Sequence, residues 1–153
     1  MMTVEEKLKS LGLTLPQTPK PVAAYIPAIQ VNDMVYTSGQ LPIVEGELKF
    51  KGKLGREISK EQGYEATKIC ALNALSAIKG IIGDLDRIEQ VVKVVGFVAS
   101  AEGFIEQPAV VNGASEFLKE LFGEKGAHAR SAVGMAELPL GAAVELEMIV
   151  RAK

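Results

Sequence analysis

The chain has 153 residues, 48% hydrophobic and 24% charged, with a formal net charge of −2 and a pI near 5.5. This composition belongs to a globular chain of one domain with a real core and excludes a disordered one. The acidic balance leaves no electrostatic footprint for nucleic acid or an anionic membrane.

Aromatics make up 5% and Trp is absent, so the core is expected to be aliphatic. The single cysteine, Cys70, excludes an internal disulfide and a cysteine-rich zinc site, and reads as a buried, inert thiol. No apolar run reaches membrane-spanning length, and the first residues, Met1 to Lys7, lack a signal peptide's basic head and apolar body. A reduced, cytoplasmic protein is expected.

Thr3-Val4-Glu5-Glu6 offers an N-cap and an acidic first turn, predicting a short helix to about Leu11 that Gly12 stops. Pro16, Pro19 and Pro21 then enforce an extended connection. A strand is expected over Tyr25–Gln30. Asn32-Asp33 turns it into Met34-Val35-Tyr36-Thr37-Ser38-Gly39, a hairpin in which Gly39 ends the strand or admits a close backbone approach. Residues 43–57 are polar, carry Gly46, Gly52 and Gly55, and read as a long excursion with a short strand near Leu48–Phe50. Lys49, Lys51 and Lys53 within it read as a solvated edge, because no P-loop spacing is present.

Ser59-Lys60-Glu61-Gln62 is a capping box. It opens a helix to about Ile82, with Ile69, Leu72, Leu75, Ile78 and Ile82 as the expected buried stripe. Ile88–Ser100 reads as a strand apolar on both faces, which implies that a second copy covers the outer one. Gln107-Pro108 begins another helix, lined by Val111, Ala114, Leu118, Leu121 and Phe122 and ended by Gly123. Two strands close the chain, the first opening at Arg130 and the second covering Ala143–Val150. In the second, Val144, Leu146, Met148 and Val150 point to the core, and Glu145 and Glu147 point away with Ala143 and Ile149. The order predicts an α+β fold, with two helices on one face of a mixed sheet and an extra short N-terminal helix.

Arg130 and Glu145 are the candidate chemical pair. An arginine fork matches a carboxylate bidentately, and a carboxylate can hold and polarise a water. Together they suggest a site that grips a small organic acid and adds water to it. The same two residues also fit a solvated strand edge with no chemistry.

Tyr25, the run Val35-Tyr36-Thr37-Ser38-Gly39-Gln40-Leu41-Pro42, Asn112, Ala129-Arg130-Ser131, Leu138-Pro139 and Glu145-Leu146-Glu147 resemble the RidA (YjgF/YER057c/UK114) family. These are reactive-intermediate enamine/imine deaminases. The resemblance runs from Tyr25 to the C-terminus. It implies a chorismate-mutase-like fold and a homotrimer with clefts between adjacent subunits. It also implies that Arg130 binds the substrate carboxylate, that Glu145 serves the attacking water, and that Tyr25, Ser38, Gly39, Asn112 and Ser131 line the cleft. The implied substrates are small 2-imino and 2-enamino acids, converted to 2-oxo acids and ammonia without cofactor or metal.

Three positions depart from the family's habit. Ala132 stands where cysteine is frequent, His128 where proline is frequent, and Glu137 where arginine is frequent. With the longer 43–57 excursion and the N-terminal helix, they mark a longer subfamily. Two other functions remain open. One is a binding protein for small 2-oxo acids or related carboxylates. The other is an endoribonuclease, opposed by the lone histidine and the acidic charge.

Overall fold

The computed structural model describes residues 1–17 and 24–153. Helix α1 (Val4–Ser10) is followed by strands β1 (Ala28–Val31) and β2 (Met34–Thr37) and by a small hairpin of β3 (Ile43–Val44) and β4 (Glu47–Leu48). Then come α2 (Lys60–Ile82), β5 (Ile88–Ala99), α3 (Gln107–Phe122), β6 (Ala129–Met135) and β7 (Val144–Ala152). Five strands form one sheet in the order β1-β2-β7-β5-β6, with only β5 and β6 parallel. The sheet is mixed, as expected, and α2 and α3 pack together on one of its faces.

Local chemistry places the helix starts. Thr3 and Ser59 each cap a helix through a reciprocal pair of bonds with Glu6 and Gln62. The buried stripe of α2 differs from the expected one. Ile69 and Leu72 are only half-buried, and Gly63, Ala66, Thr67, Cys70, Ala71 and Ala74 carry the contact. Small residues let the helices approach closely: a β-carbon on Gly113 of α3 would lie 1.9 Å from the Tyr64 carbonyl oxygen, and one on Gly96 of β5 would lie 2.5 Å from Val111. Thr67 uses this proximity, donating to the Val110 carbonyl at 2.9 Å and accepting from the Ala114 N–H at 3.1 Å. On α3, Val110 and Phe117 join the buried face and Phe122 is half-buried.

β1 begins three residues later than expected, because Pro27 offers no N–H to a ladder. Residues 43–57 hold a hairpin that the sequence reading passed over. Glu45 and Gly46 both have positive φ, 52° and 79°, which suits the tight turn between β3 and β4. Phe50, expected in a strand, instead takes φ 59°. The lysines of this excursion are partly paired, Lys49 with Glu47 at 3.3 Å and Lys53 with Glu137 at 3.0 Å. Pro19 and Pro21 lie outside the described residues.

β5 carries two register shifts against β7, between Ile88 and Gln90 and between Val91 and Lys93. Each inserts an extra residue, so Ile88, Val91 and Val94 all face the helices at spacings of three. β7 alternates as read, with Val144, Leu146, Met148 and Val150 in the core. The other sheet face is open in the single chain: Ile29, Val31, Tyr36, Val133 and Met135 are between 37% and 53% exposed. Among the described residues, no helix is long and apolar enough to cross a membrane.

Candidate functional site

Strand register decides where the candidate residues point. Arg130 of β6 is level with Val94, which is level with Met148 of β7; Val94 and Met148 are buried on the helix side. Arg130 therefore faces the helices. Its Nη1 donates to Asn112 Oδ1 at 2.8 Å and to Ser115 Oγ at 3.1 Å, both on α3. Ala132, two residues along, shares that face, level with Gly96. Ser131 falls on the opposite face, level with Val95, and does not join Arg130.

Nη1 has two protons, and Asn112 and Ser115 accept one each. Among the described residues, Nη2 and Nε have no partner, and no carboxylate pairs with Arg130. The guanidinium is thus oriented by neutral oxygens and keeps one edge free, which suits an incoming anion.

Glu145 is built from the other side. It is level with Phe97 on β5 and points away from the helices. Beside it the β2–β7 ladder is interrupted. Tyr36 is level with Ile149, and pairing resumes only at Gln40 with Leu146, leaving three residues on one side against two on the other. Thr37 Oγ1 takes up the Met148 N–H at 3.0 Å within this bulge. Gly39 lies in it, and a β-carbon there would fall 1.9 Å from Glu145 Oε2. Only a residue without a side chain leaves room for the carboxylate. Burial, with a smaller contribution from the neighbouring Glu147 charge, raises the Glu145 pKa above the ordinary carboxylate value.

Ser38 and Tyr25 adjoin Gly39. The Ser38 hydroxyl donates to the Ile26 carbonyl at 2.6 Å, and its N–H donates to Pro27 O at 2.8 Å. Ser38 thereby ties the segment entering β1 to the end of β2. Tyr25, 61% exposed, borders with Gly39, Gln40 and Leu41 a groove of about 600 Å³.

The candidate residues thus fall into two groups on opposite faces of one sheet. Arg130 with Asn112 forms one and Glu145 with Gly39 the other; Ser38 adjoins Gly39 in the chain, and Tyr25 shares with Gly39 a groove that also takes in Asn73 of α2. β5 separates their strands, a lateral offset of about 10 Å. Within one chain Arg130 and Glu145 do not meet, because their side chains leave opposite sides of the sheet. Sequence reasoning missed Ser115. Its signal was the spacing of three from Asn112, which puts both on one helix face. Among the described residues, no cluster of His, Cys, Asp and Glu could hold a metal ion.

A family model described as "YjgF/chorismate mutase-like, putative endoribonuclease" matches residues 5–150. Protein TCP17 of Trypanosoma cruzi is 40% identical over 148 residues, covering 96% of this chain and 92% of that protein. A 2-iminobutanoate/2-iminopropanoate deaminase of Dermatophagoides farinae is 32% identical over 138 residues, covering 90% and 93%. The crystal structure of Atu1372 from Agrobacterium tumefaciens, a protein of unknown function, superposes with a TM-score of 0.93 at 42% identity, covering 98% of this chain and 92% of that one. With the family model spanning nearly the whole chain and the same α+β layout in the fold, the chain belongs to the YjgF/RidA family.

Proposed function

We propose that the protein hydrolyses small 2-imino and 2-enamino acids to 2-oxo acids and ammonia. The observation that carries this reading is the Arg130 guanidinium, fixed by Asn112 and Ser115, with Nε and Nη2 left for a substrate carboxylate. The deaminase relative supports the substrate class. Glu145 supplies the second requirement, a carboxylate of raised pKa that can take a proton from water.

The chemistry balances without a cofactor. The enamine first tautomerises to the imine. A water oxygen bonds to the electrophilic imine carbon while Glu145 accepts one water proton. Glu145 returns that proton to the nitrogen, giving the neutral carbinolamine; the carboxylate then takes the hydroxyl proton and delivers it to the nitrogen as the C–N bond breaks, so that ammonia leaves and a 2-oxo acid remains. An imine carbon needs no strong nucleophile, so positioning the acid end and one water supplies much of the rate.

Because Arg130 and Glu145 leave opposite faces, a cleft holding both takes Arg130 from one copy and Glu145 from its neighbour. The open apolar sheet face, including Ile29, Val31, Tyr36, Val133 and Met135, is the surface through which copies join. A homotrimer fits this reading, with one cleft at each seam. RNA cleavage draws less support, since both ring nitrogens of the only histidine, His128, are engaged within the chain.

The test generates 2-aminoacrylate in situ and follows its decay to pyruvate with wild type and Arg130→Ala. Wild type should accelerate the decay and Arg130→Ala should not. Tight pyruvate binding by wild type without acceleration would instead identify a carboxylate-binding protein.

A further inference from the structure

His128 is half-buried at the foot of β6, with both ring nitrogens in contact. Nδ1 lies 2.6 Å from the Gly126 carbonyl oxygen, and Nε2 lies 2.9 Å from Ser115 Oγ. A carbonyl oxygen only accepts, so Nδ1 carries the proton. A neutral imidazole then presents a lone pair at Nε2, and the Ser115 hydroxyl must donate to it. Having spent its single proton on His128, Ser115 turns lone pairs towards Arg130 Nη1, which donates to it at 3.1 Å. With the imidazole neutral, the direction of every bond in the chain Gly126–His128–Ser115–Arg130 follows from one carbonyl.

A serine within a helix otherwise tends to donate to a carbonyl of its preceding turn. The acceptor at His128 Nε2 draws the Ser115 proton away from that alternative. Asn112 and Ser115 then take both Nη1 protons, so rotation of the guanidinium about its last bond would break two hydrogen bonds.

We infer that His128 is a positioning residue for Arg130: acting through Ser115, it holds the guanidinium so that the Nε–Nη2 edge receives the carboxylate of a 2-imino acid. This rests on reading Arg130 as the carboxylate anchor. It assigns a role to a histidine at a position where proline is frequent in the family, and it confines that role to binding rather than to proton transfer.

The test uses the full chain and two readouts, steady-state deamination of in-situ 2-iminopropanoate and calorimetric binding of pyruvate, which carries the same carboxylate. His128→Phe keeps the ring and removes the acceptor. It should raise KM and the pyruvate Kd about five- to tenfold with little change in kcat. His128→Gln, whose amide oxygen can replace Nε2 as acceptor, should recover most of the affinity. Ser115→Ala should match His128→Phe, and the double variant should be no worse than either single one.

An unchanged Kd in His128→Phe, or additive losses in the double variant, would overturn the inference. Should His128→Phe fail to fold, His128→Gln in the Ser115→Ala background decides: any further change in Kd there excludes an action through Ser115. Arg130→Ala separates the two levels. If it leaves pyruvate binding intact, the anchor reading fails; if it abolishes binding while His128→Phe does not weaken it, only the positioning role fails.

Discussion

Gly39 and Glu145 share one space: the position of a Gly39 β-carbon is occupied to within 1.9 Å by Glu145 Oε2. The bulge at the end of β2 brings backbone against carboxylate, and no side chain fits between them. Gly39→Ala should therefore displace the carboxylate. A displacement of about 1 Å at a reacting group costs on the order of a hundredfold in rate. kcat for 2-aminoacrylate hydrolysis should fall by about that factor. The pyruvate Kd should stay near wild type, because Arg130 is untouched. A variant with full kcat would show that the Glu145 position is irrelevant to turnover.

Glu145 also predicts a pH dependence of stability. Burial, then the Glu147 charge, raises its folded pKa above the ordinary value. The folded chain therefore binds the proton more tightly than the unfolded chain. This contribution favours folding most below the ordinary glutamate pKa and is lost as pH rises through the folded value. In Glu145→Gln that decline should disappear, leaving a flatter profile of urea midpoint against pH across the mildly acidic range. The activity profile should move in the opposite sense: wild-type kcat/KM should fall as pH drops through the raised pKa, because the base form is lost. Parallel stability profiles for the two proteins would contradict the raised pKa.

The two-faced arrangement predicts complementation. Arg130→Ala and Glu145→Gln should each be inactive as homo-oligomers. Co-refolded in equal amounts, they should regenerate activity, since a seam combining Arg130 from one copy with Glu145 from the next is intact. Random assembly restores roughly a quarter of the seams. Assays of the mixture against each variant alone measure this directly. A mixture as dead as its components would show that both residues must come from the same copy.

The open sheet face predicts the effect of a charge upon assembly. Val133 is 40% exposed in the single chain, on the row that includes Phe97 and Glu145. Val133→Asp would place an unpaired carboxylate in an apolar seam, at a cost of several kcal/mol per ion. Light scattering after size exclusion should show a smaller species than wild type, and deaminase activity should fall with it. An unchanged oligomer carrying this substitution would rule out the sheet face as the interface.

The α2–α3 contact should be the most sensitive site for stability alone. A β-carbon on Gly113 would lie 1.9 Å from Tyr64 O and 2.6 Å from Thr67 Oγ1; the first is backbone, and the second is held by its bonds to Val110 O and Ala114 N–H. Gly113→Ala should cost about 1–3 kcal/mol by overpacking, read as a lower urea midpoint with an unchanged slope. Because Asn112 and Ser115 flank this contact, the pyruvate Kd of the variant should rise as well.

Much of this fold was readable in the chain because its causes are local. The N-cap at Thr3, the capping box at Ser59, the alternation of Val144 to Val150 and the apolar run of β5 each reflect neighbours within a few residues, so the α+β layout and the faces of β7 followed without coordinates. The motif residues around Ser38, Arg130 and Glu145 likewise marked the family. Tertiary structure alone decided what those residues meet. The bulges in β5 and at Gly39 depend on pairing with β7, a partner more than 45 positions away in sequence from either strand. The small-residue contact of α2 depends on how closely α3 approaches, which no periodicity of α2 encodes. Strand parity in one segment cannot say which face another segment occupies, so only the assembled sheet showed Arg130 and Glu145 on opposite sides. His128 was visible as a lone histidine, but its hold on Arg130 through Ser115 exists only once α3 and β6 are side by side.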